Sequence, residues 1–327
     1  MKVLVTGATG FTGKALAIKL NSLGRDVRVI VRDPNKVDFP NKSEYEIVVG
    51  NIVDEAAIEK AVKGVDVIFH IAAVFREGGI TDQIYHDVHV SATLNLLKAA
   101  KKFGVKKFVH CSTGGVHGHI EHPPANEDYR YSPGDVYQVT KLEGELKALE
   151  FYKETGLPVS VVRPTPIYGP GDLRLLKLYK MASHPITILL GNGKMFYHLV
   201  YIDDLVNGFI LASEKDKAVG ESFLIGGNEI PNLNEIIDTV ADTIGVSKTK
   251  IHLPALPVQI AGTLCEKICI PLGIDPPLYR RRVDFFTKSR SFDISKAKRI
   301  LNYQPKTSLK EGLKKTAEWY KANGHLS

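Results

Sequence analysis

Cysteine is scarce in this chain, and the three present, Cys111, Cys265 and Cys269, offer no disulfide framework. Cys265 and Cys269 stand four apart on a helical stretch and Cys111 falls on a strand expected to be buried, so all three read as reduced thiols. Long apolar runs are missing as well: nothing approaches the roughly eighteen consecutive apolar residues of a membrane span. Met1 leads directly into the first strand-like segment, so no secretory leader is expected and the protein is expected to be cytoplasmic. Repeats and low-complexity tracts are absent. The net charge is +7 over 327 residues, yet no nucleic-acid-binding motif accompanies it and no such partner is expected. The basic residues gather late, at Arg280, Arg281, Arg282, Lys288, Arg290, Lys296, Lys298 and Arg299, and read mainly as a solvated face.

What is present is an alternation. Strand-like runs at 2–6, 27–31, 47–49, 65–69, 107–111 and 159–162 alternate with helical stretches at 11–23, 55–62, 86–103 and 135–155. This is the pattern of a parallel sheet with helices on both faces, a doubly wound α/β fold. After Arg163 the pattern becomes irregular, with Pro164, Pro166, Gly169, Pro170 and Gly171 crowding one loop and further helices expected at 203–213, 233–244 and 309–322. The expected division is a dinucleotide-binding domain over 1–168, to which later segments return, and a mainly substrate-binding lobe over 169–327.

Two motifs carry chemistry. The first strand runs into glycines spaced as Gly7, Gly10 and Gly13 and then into a helix. Glycine lets the backbone approach a pyrophosphate closely, and the helix N-terminus supplies unpaired N–H donors and a positive dipole end. The second is Tyr137 with Lys141, four residues apart on one helix face behind a plausible N-cap, Asp135. A phenol titrating near 10 is a poor acid or base at neutral pH unless a cation stabilises its phenolate, and Lys141 is placed to be that cation. Alone the pair is weak evidence, because most such pairs are solvated helix faces. Together with the glycine turn it points to nicotinamide-dependent redox chemistry.

The motifs VTGATGFTG (5–13), GNIVD (50–54), DVIFHIAA (66–73), KKFVHCSTGGVHG (106–118), YQVTK (137–141), RPTPIYGPGD (163–172) and YIDDLVNG (201–208) occur in the order of the extended short-chain dehydrogenases/reductases, and the chain resembles that family from end to end. The resemblance implies a Rossmann fold. It also implies a catalytic set of Thr113, Tyr137 and Lys141, with Thr113 hydrogen-bonding the substrate oxygen, Tyr137 exchanging its proton and Lys141 holding the ribose hydroxyls. Cofactor contacts carried over by position are Gly7, Thr9, Gly10, Phe11, Thr12, Gly13, Arg32, Asn51, Ile52, Ala72, Ala73, Tyr137, Lys141, Pro164 and Ile167, with Asp54 also near the adenine. Ser112, His117, Tyr197 and Arg282 are the implied substrate-side residues, and a homodimer through the helices at 86–103 and 135–155 is implied by relatives. Three positions depart from the pattern: Asn51 replaces a common Asp, His89 replaces the Asn of the family's proton relay, and His117 replaces a Tyr common before the glycine of the fifth strand's loop. His117, His119 and His122 suggest a metal site only superficially, since the loop lacks a fourth ligand and the family uses none.

At the end of the second strand Val31 occupies the position of the acidic residue that binds an NAD ribose, and Arg32 follows it, which points to NADP, with NAD use possible through Asp33. The VRD segment resembles dihydroflavonol-reductase-like members. The apolar run at 253–273 and the basic stretch after it resemble 3β-hydroxysteroid dehydrogenase-like members, and Tyr197 stands where nucleotide-sugar enzymes carry an arginine. The leading expectation is an oxidoreductase acting on a secondary alcohol or ketone. A nucleotide-sugar epimerase or dehydratase, using the arginines at 280–282, is the alternative, and a non-catalytic dinucleotide-binding module is the third reading. If Arg32 grips a 2′-phosphate, Arg32→Ala should weaken NADPH about ten- to a hundredfold more than NADH. Equal losses in titrations of the two cofactors would refute the assignment.

Overall fold

The computed structural model describes residues 1–76, 79–246, 249–274, 276 and 280–326, with the backbone alone at 270 and 280–282. In chain order the first half comprises β1 (Lys2–Thr6), α1 (Phe11–Ser22), β2 (Asp26–Val31), β3 (Glu46–Val49), α2 (Glu55–Val62), β4 (Val67–His70), α3 (Asp82–His86), α4 (Ala92–Lys102), β5 (Lys107–Cys111), α5 (Val136–Thr155) and β6 (Val159–Pro164). The second half comprises β7 (Ile167–Tyr168), α6 (Leu176–Ala182), β8 (Ile186–Leu190), β9 (Val200–Tyr201), α7 (Ile202–Glu214), β10 (Ser222–Ile225), α8 (Leu233–Ile244), β11 (Thr249–Leu253), α9 (Ala255–Cys269), α10 (Arg280–Thr287) and α11 (Leu309–Ala322).

Seven strands form one sheet in the order β10-β6-β5-β4-β1-β2-β3, and every neighbouring pair is parallel. This is the Rossmann arrangement, extended at one edge by β10, which returns from the second half of the chain. The direction of winding reverses between β1 and β4, and the crevice above their carboxyl ends is where an open α/β sheet takes its ligand. Period-two alternation decides which side chains face which layer. Val3, Val5, Val27, Val29 and Phe69 belong to the core that includes Leu16 and Leu20 of α1, whereas Leu4, Ile68 and Phe108 pack with Ile58 of α2 and Leu96 of α4. The remaining sheets are the pairs β8 with β11 and β7 with β9.

The helices at 55–62, 233–244 and 309–322 fall where the periodicity predicts them. The expected helix at 86–103 differs. It begins earlier, at Asp82 behind Thr81, and contains a π-turn at Asp87–Ser91 between α3 and α4. The widened turn carries His89, and such bulges concentrate at functional sites.

One ion pair fixes α5 to the sheet. Arg163 on β6 and Glu145 on α5 are 2% and 0% exposed, with Nη2 2.5 Å from Oε1 and Nε 2.9 Å from the same oxygen. The guanidinium also donates to the Glu127 carbonyl (2.8 Å) and the Tyr131 hydroxyl (2.7 Å), and Ser222 of β10 donates to Glu145 at 3.1 Å. Two buried charges are tolerated because their hydrogen-bonding capacity is met on several sides. Glu145→Ala would strand a buried guanidinium, with an expected loss of about 3–5 kcal/mol. A loss below about 1 kcal/mol in urea denaturation would show that the pair does not hold the helix.

Candidate active site

The glycine turn has the shape of a pyrophosphate cradle. Gly7 has φ +70°, and a Cβ there would lie 2.8 Å from the backbone of Ala72; a Cβ on Gly13 would lie 2.2 Å from the Gly7 carbonyl oxygen. Gly10 caps α1 in an extended conformation, and the first turn of the helix carries no acidic residue. Its first N–H groups have no intrahelical acceptor and face the crevice end of β1. Thr9 and Gly10 are exposed, and Phe11 and Thr12 half-buried. Thr6 fastens this turn to β4: its Oγ1 accepts from the N–H groups of Ile71 (3.1 Å) and Ala72 (3.0 Å). Those residues fit a dinucleotide.

At the end of β2, Arg32 is exposed, while the Asp33 carboxylate accepts from Asn35 N–H at 2.9 Å and caps a short turn. Asp33 is thereby occupied locally. Asn51 is exposed with its Oδ1 at 3.4 Å from Val53 N–H, Ile52 is half-buried, and Asp54 caps α2 through Ala56 N–H at 3.0 Å. Ala73 is exposed, Ile167 half-buried and Pro164 buried.

Tyr137 lies in the first turn of α5, which Asp135 caps through Gln138 N–H at 2.9 Å. Its half-buried ring meets Phe75 edge-on at 5.0 Å and His89 edge-on at 5.5 Å. Lys141, buried one turn on, donates to the carbonyl of Cys111 at the end of β5. That bond takes one of the three ammonium donors. The Tyr137 phenol is pushed up from its ordinary value, by burial first and then by Cys111, and the cations opposing that shift are Arg76 and Arg174. Burial likewise pushes the Lys141 ammonium down.

Thr113 caps the turn Gly114–His117, its Oγ1 accepting from Gly115 N–H at 3.0 Å. Ser112 is buried, and its Oγ has no partner among the described residues. His117 is a correction: the ring is fully buried, with Nδ1 3.2 Å from the Arg130 carbonyl, Nε2 3.2 Å from Arg163 Nη1, and Tyr131 stacked on it at 5.6 Å. Both nitrogens are spent inside the protein, so it supports Arg163 rather than facing substrate. His119 is also engaged, accepting from Ser289 N–H at 3.1 Å. Among the described residues no three potential ligands converge on a metal position. The Arg282 side chain lies outside the described residues. Tyr197 packs on Phe285 at 5.1 Å, and the Arg290 guanidinium lies over its ring at 5.4 Å. A cation thus does reach this position, from a part of the chain whose basic residues read as solvent-facing.

Sequence reasoning missed the group that joins the glycine turn to Tyr137. The Arg174 guanidinium sits over Phe11 at 5.4 Å and over Phe75 at 5.6 Å, and Arg76 sits over Phe75 and Tyr137 at 5.4 Å each. The available signal was that Arg76 and Arg174 lie three and two residues beyond recognised motifs that end at 73 and 172. His89 was noted as a departure without a role. The structure shows its Nε2 accepting from Val74 N–H at 3.0 Å and its Nδ1 paired with Thr140 Oγ1 at 2.8 Å. It ties the loop bearing Phe75 and Arg76 to the helix bearing Tyr137. Gly144 permits this approach, since a Cβ there would lie 2.2 Å from the His89 carbonyl oxygen.

The whole pattern is that of a known family. The chain matches the NAD dependent epimerase/dehydratase family over residues 3–226. It belongs to that family. It is 29% identical to a 3beta-hydroxysteroid-dehydrogenase/decarboxylase of Arabidopsis thaliana, over 96% of this chain and 78% of that one. It is 28% identical to a 2-alkyl-3-oxoalkanoate reductase of Stenotrophomonas maltophilia, over 96% and 98%. Among solved structures, a UDP-glucuronic acid 4-epimerase of Bacillus cereus in complex with NAD superposes with a TM-score of 0.78 at 27% identity, covering 99% of each chain. No helix among the described residues of this family member is long and apolar enough to cross a membrane.

Burial and the Lys141 charge hold the His89 imidazole down to about 2 and that of His70 to about 3. Both lie below the roughly 6.5 of an unfolded histidine. Their contribution to stability is therefore complete above about pH 6.5 and is lost as the pH falls, by about 1.4 kcal/mol per unit for each ring, because the unfolded chain takes up protons that the folded one refuses. Denaturation between pH 7.5 and 5 should show this fall, and His89→Asn should flatten the slope by about 1.4 kcal/mol per unit. A slope unchanged by the substitution would mean that His89 is protonated in the fold.

Proposed function

We propose that the protein is an NADP-linked oxidoreductase that exchanges a hydride between the nicotinamide and a secondary alcohol or ketone. The observation that carries the reading is the continuous contact from the glycine turn to the phenol: Phe11, Arg174, Phe75 and Tyr137 follow one another at 5.0–5.6 Å. It links the dinucleotide cradle to an ionisable hydroxyl. When bound, the dinucleotide supplies the hydride acceptor or donor. In this proposal Tyr137 passes the proton to or from the substrate oxygen, Thr113 orients that oxygen, and Lys141 holds a ribose hydroxyl and carries positive charge beside the phenol. Exposed Arg32, with Asp33 turned to its own cap, supports NADP; NAD remains the second cofactor. Relatives named as a dehydrogenase and a reductase support net redox.

The substrate-binding lobe is assigned to 169–327, with β10 and α7 completing the dinucleotide-binding domain of 1–168. The apolar face of α5, with exposed Val139 and Leu146, supports a homodimer through that helix. A cytoplasmic setting is the accompanying proposal. One observation favours a second reading, nucleotide-sugar epimerisation: Arg290 over Tyr197 supplies a cation near the place where a diphosphate would lie. An epimerase returns its hydride, so the two readings separate on stoichiometry.

Net consumption of NADPH with an apolar ketone should be seen, and Tyr137→Phe should lower it about 100- to 10,000-fold with cofactor affinity nearly intact. More than half the wild-type rate in the variant would sink the catalytic assignment. Micromolar binding of a UDP-sugar by calorimetry, lost in Arg290→Ala and without net NADPH consumption, would promote the epimerase.

A further inference from the structure

Arg76 and Arg174 are surplus to the proton transfer just described, yet both are built into the reacting end of the cleft. Arg76 is held by Asp135, whose Oδ2 accepts from Nε and Nη2 at 2.8 Å each while its Oδ1 caps the helix that bears Tyr137. The same carboxylate thus fixes the guanidinium and the phenol relative to each other. Arg76 adopts φ +45°, a left-handed conformation that is costly for a residue with a Cβ and that concentrates at ligand clamps. Arg174 is anchored separately, by Asp172 Oδ1 at 2.5 Å and the Ile167 carbonyl at 3.3 Å. Asp172 is itself buried, and its Oδ2 has no partner among the described residues. Both guanidinium groups approach the ring of Phe75, their carbons 5.4 and 5.6 Å from its centroid.

We propose that Arg76 and Arg174 form an anion site that receives the carboxylate of a 3-hydroxy or 3-oxo acid, setting the oxygen on the third carbon at Tyr137. The proposal rests on the alcohol–ketone reading and names its substrate class. A guanidinium carries five N–H donors in a planar fork that matches a carboxylate, and Arg76 directs its Nε and Nη2 to one oxygen of Asp135, so its donor capacity exceeds that anchor. The side chains of Arg76 and Arg174 are 33% and 39% exposed, open enough to be reached and shielded enough for a charge-assisted bond to hold. Ordinary bond lengths place a carboxylate about 3–4.5 Å from the oxygen on the third carbon, and the Arg76 guanidinium carbon lies 5.4 Å from the centroid of the Tyr137 ring. Phe75, 41% exposed, offers an apolar wall for the rest of the chain. In the oxidising direction the hydride leaves the third carbon with its electron pair for the oxidised nicotinamide, the hydroxyl proton goes to the Tyr137 phenolate, a C=O bond forms, and the carboxylate keeps its charge. Both arginines also favour the phenolate electrostatically, so an anion that draws on them is felt at the proton-transfer step.

The test compares 3-hydroxyoctanoate with its methyl ester, in turnover with NADP+ and in calorimetric binding to the NADP+-loaded protein. The acid should exceed the ester in kcat/KM by about ten- to a hundredfold, and Arg76→Gln should abolish that preference by raising the KM of the acid, while a fall in kcat through the phenol is shared by acid and ester. Arg76→Lys should restore part of the preference, and Arg174→Gln should reduce it. Affinity for NADP+ should stay within about threefold in each variant. Equal losses for acid and ester would overturn the site. Weakened NADP+ binding with no change in acid preference would overturn it too, and assign the arginines to the phosphates of the dinucleotide. If neither compound is oxidised, the alcohol reading fails, and calorimetry still decides the site: arginine-dependent binding of the acid over the ester supports it, and equal or absent binding of both overturns it.

Discussion

The buried contact between Arg163 and Glu145 is the constraint on which the arrangement depends. Helix α5 presents Tyr137 and Lys141 from one face, and that face must lie against the ends of β5 and β6 at a fixed rotation. A hydrophobic stripe alone would tolerate rotation and sliding. A guanidinium forked onto a carboxylate, with Glu127, Tyr131 and Ser222 meeting the remaining hydrogen-bonding positions, tolerates neither. It also draws in β10 and the loop containing His117, so sheet edge, loop and α5 share one anchor.

Around Lys141 the interior is kept neutral by design of its neighbours. His70, His89 and His110 are all buried, and all are held below the usual imidazole range, first by burial and then by the Lys141 charge. Uncharged rings can accept as well as donate. His89 needs that property, because its Nε2 takes the Val74 N–H while Nδ1 meets Thr140. A protonated ring would lose the acceptor and repel the ammonium. The π-turn that carries His89, and the glycine at 144 that lets α5 approach it, serve the same end: the loop of Phe75 and Arg76 is held at a set distance from Tyr137.

Electrostatics at the phenol are shared among more groups than the Tyr-x-x-x-Lys spacing implies. Lys141 gives one donor to the Cys111 carbonyl, and the cations opposing the effect of burial on Tyr137 come from two loops far apart in sequence. Arg76 follows β4 of the central sheet and Arg174 follows β7 of the separate β7–β9 pair, and each reaches the ring of Phe75. The pairing of Tyr197 with Arg290 is of the same kind, since parallel pairing at these two residues brings together groups separated by almost a hundred positions.

The residues alone determined the doubly wound sheet, because β-branched runs at the right spacing leave few other ways to bury both faces, and they determined the glycine turn, because only glycine fits within 2.8 Å of the Ala72 backbone. They also determined the helix of Tyr137 and its Asp135 cap, both local in sequence. The His117 role, the π-turn at His89, the Arg163–Glu145 anchor and the two arginines beside Tyr137 were decided by tertiary structure. Each depends on contacts between segments whose separation in the chain carries no periodic signal. A histidine in a polar loop reads the same whether it faces a ligand or a buried guanidinium. An arginine after a strand reads the same whether it meets solvent or a phenol, and only the packing of the sheet ends distinguishes them.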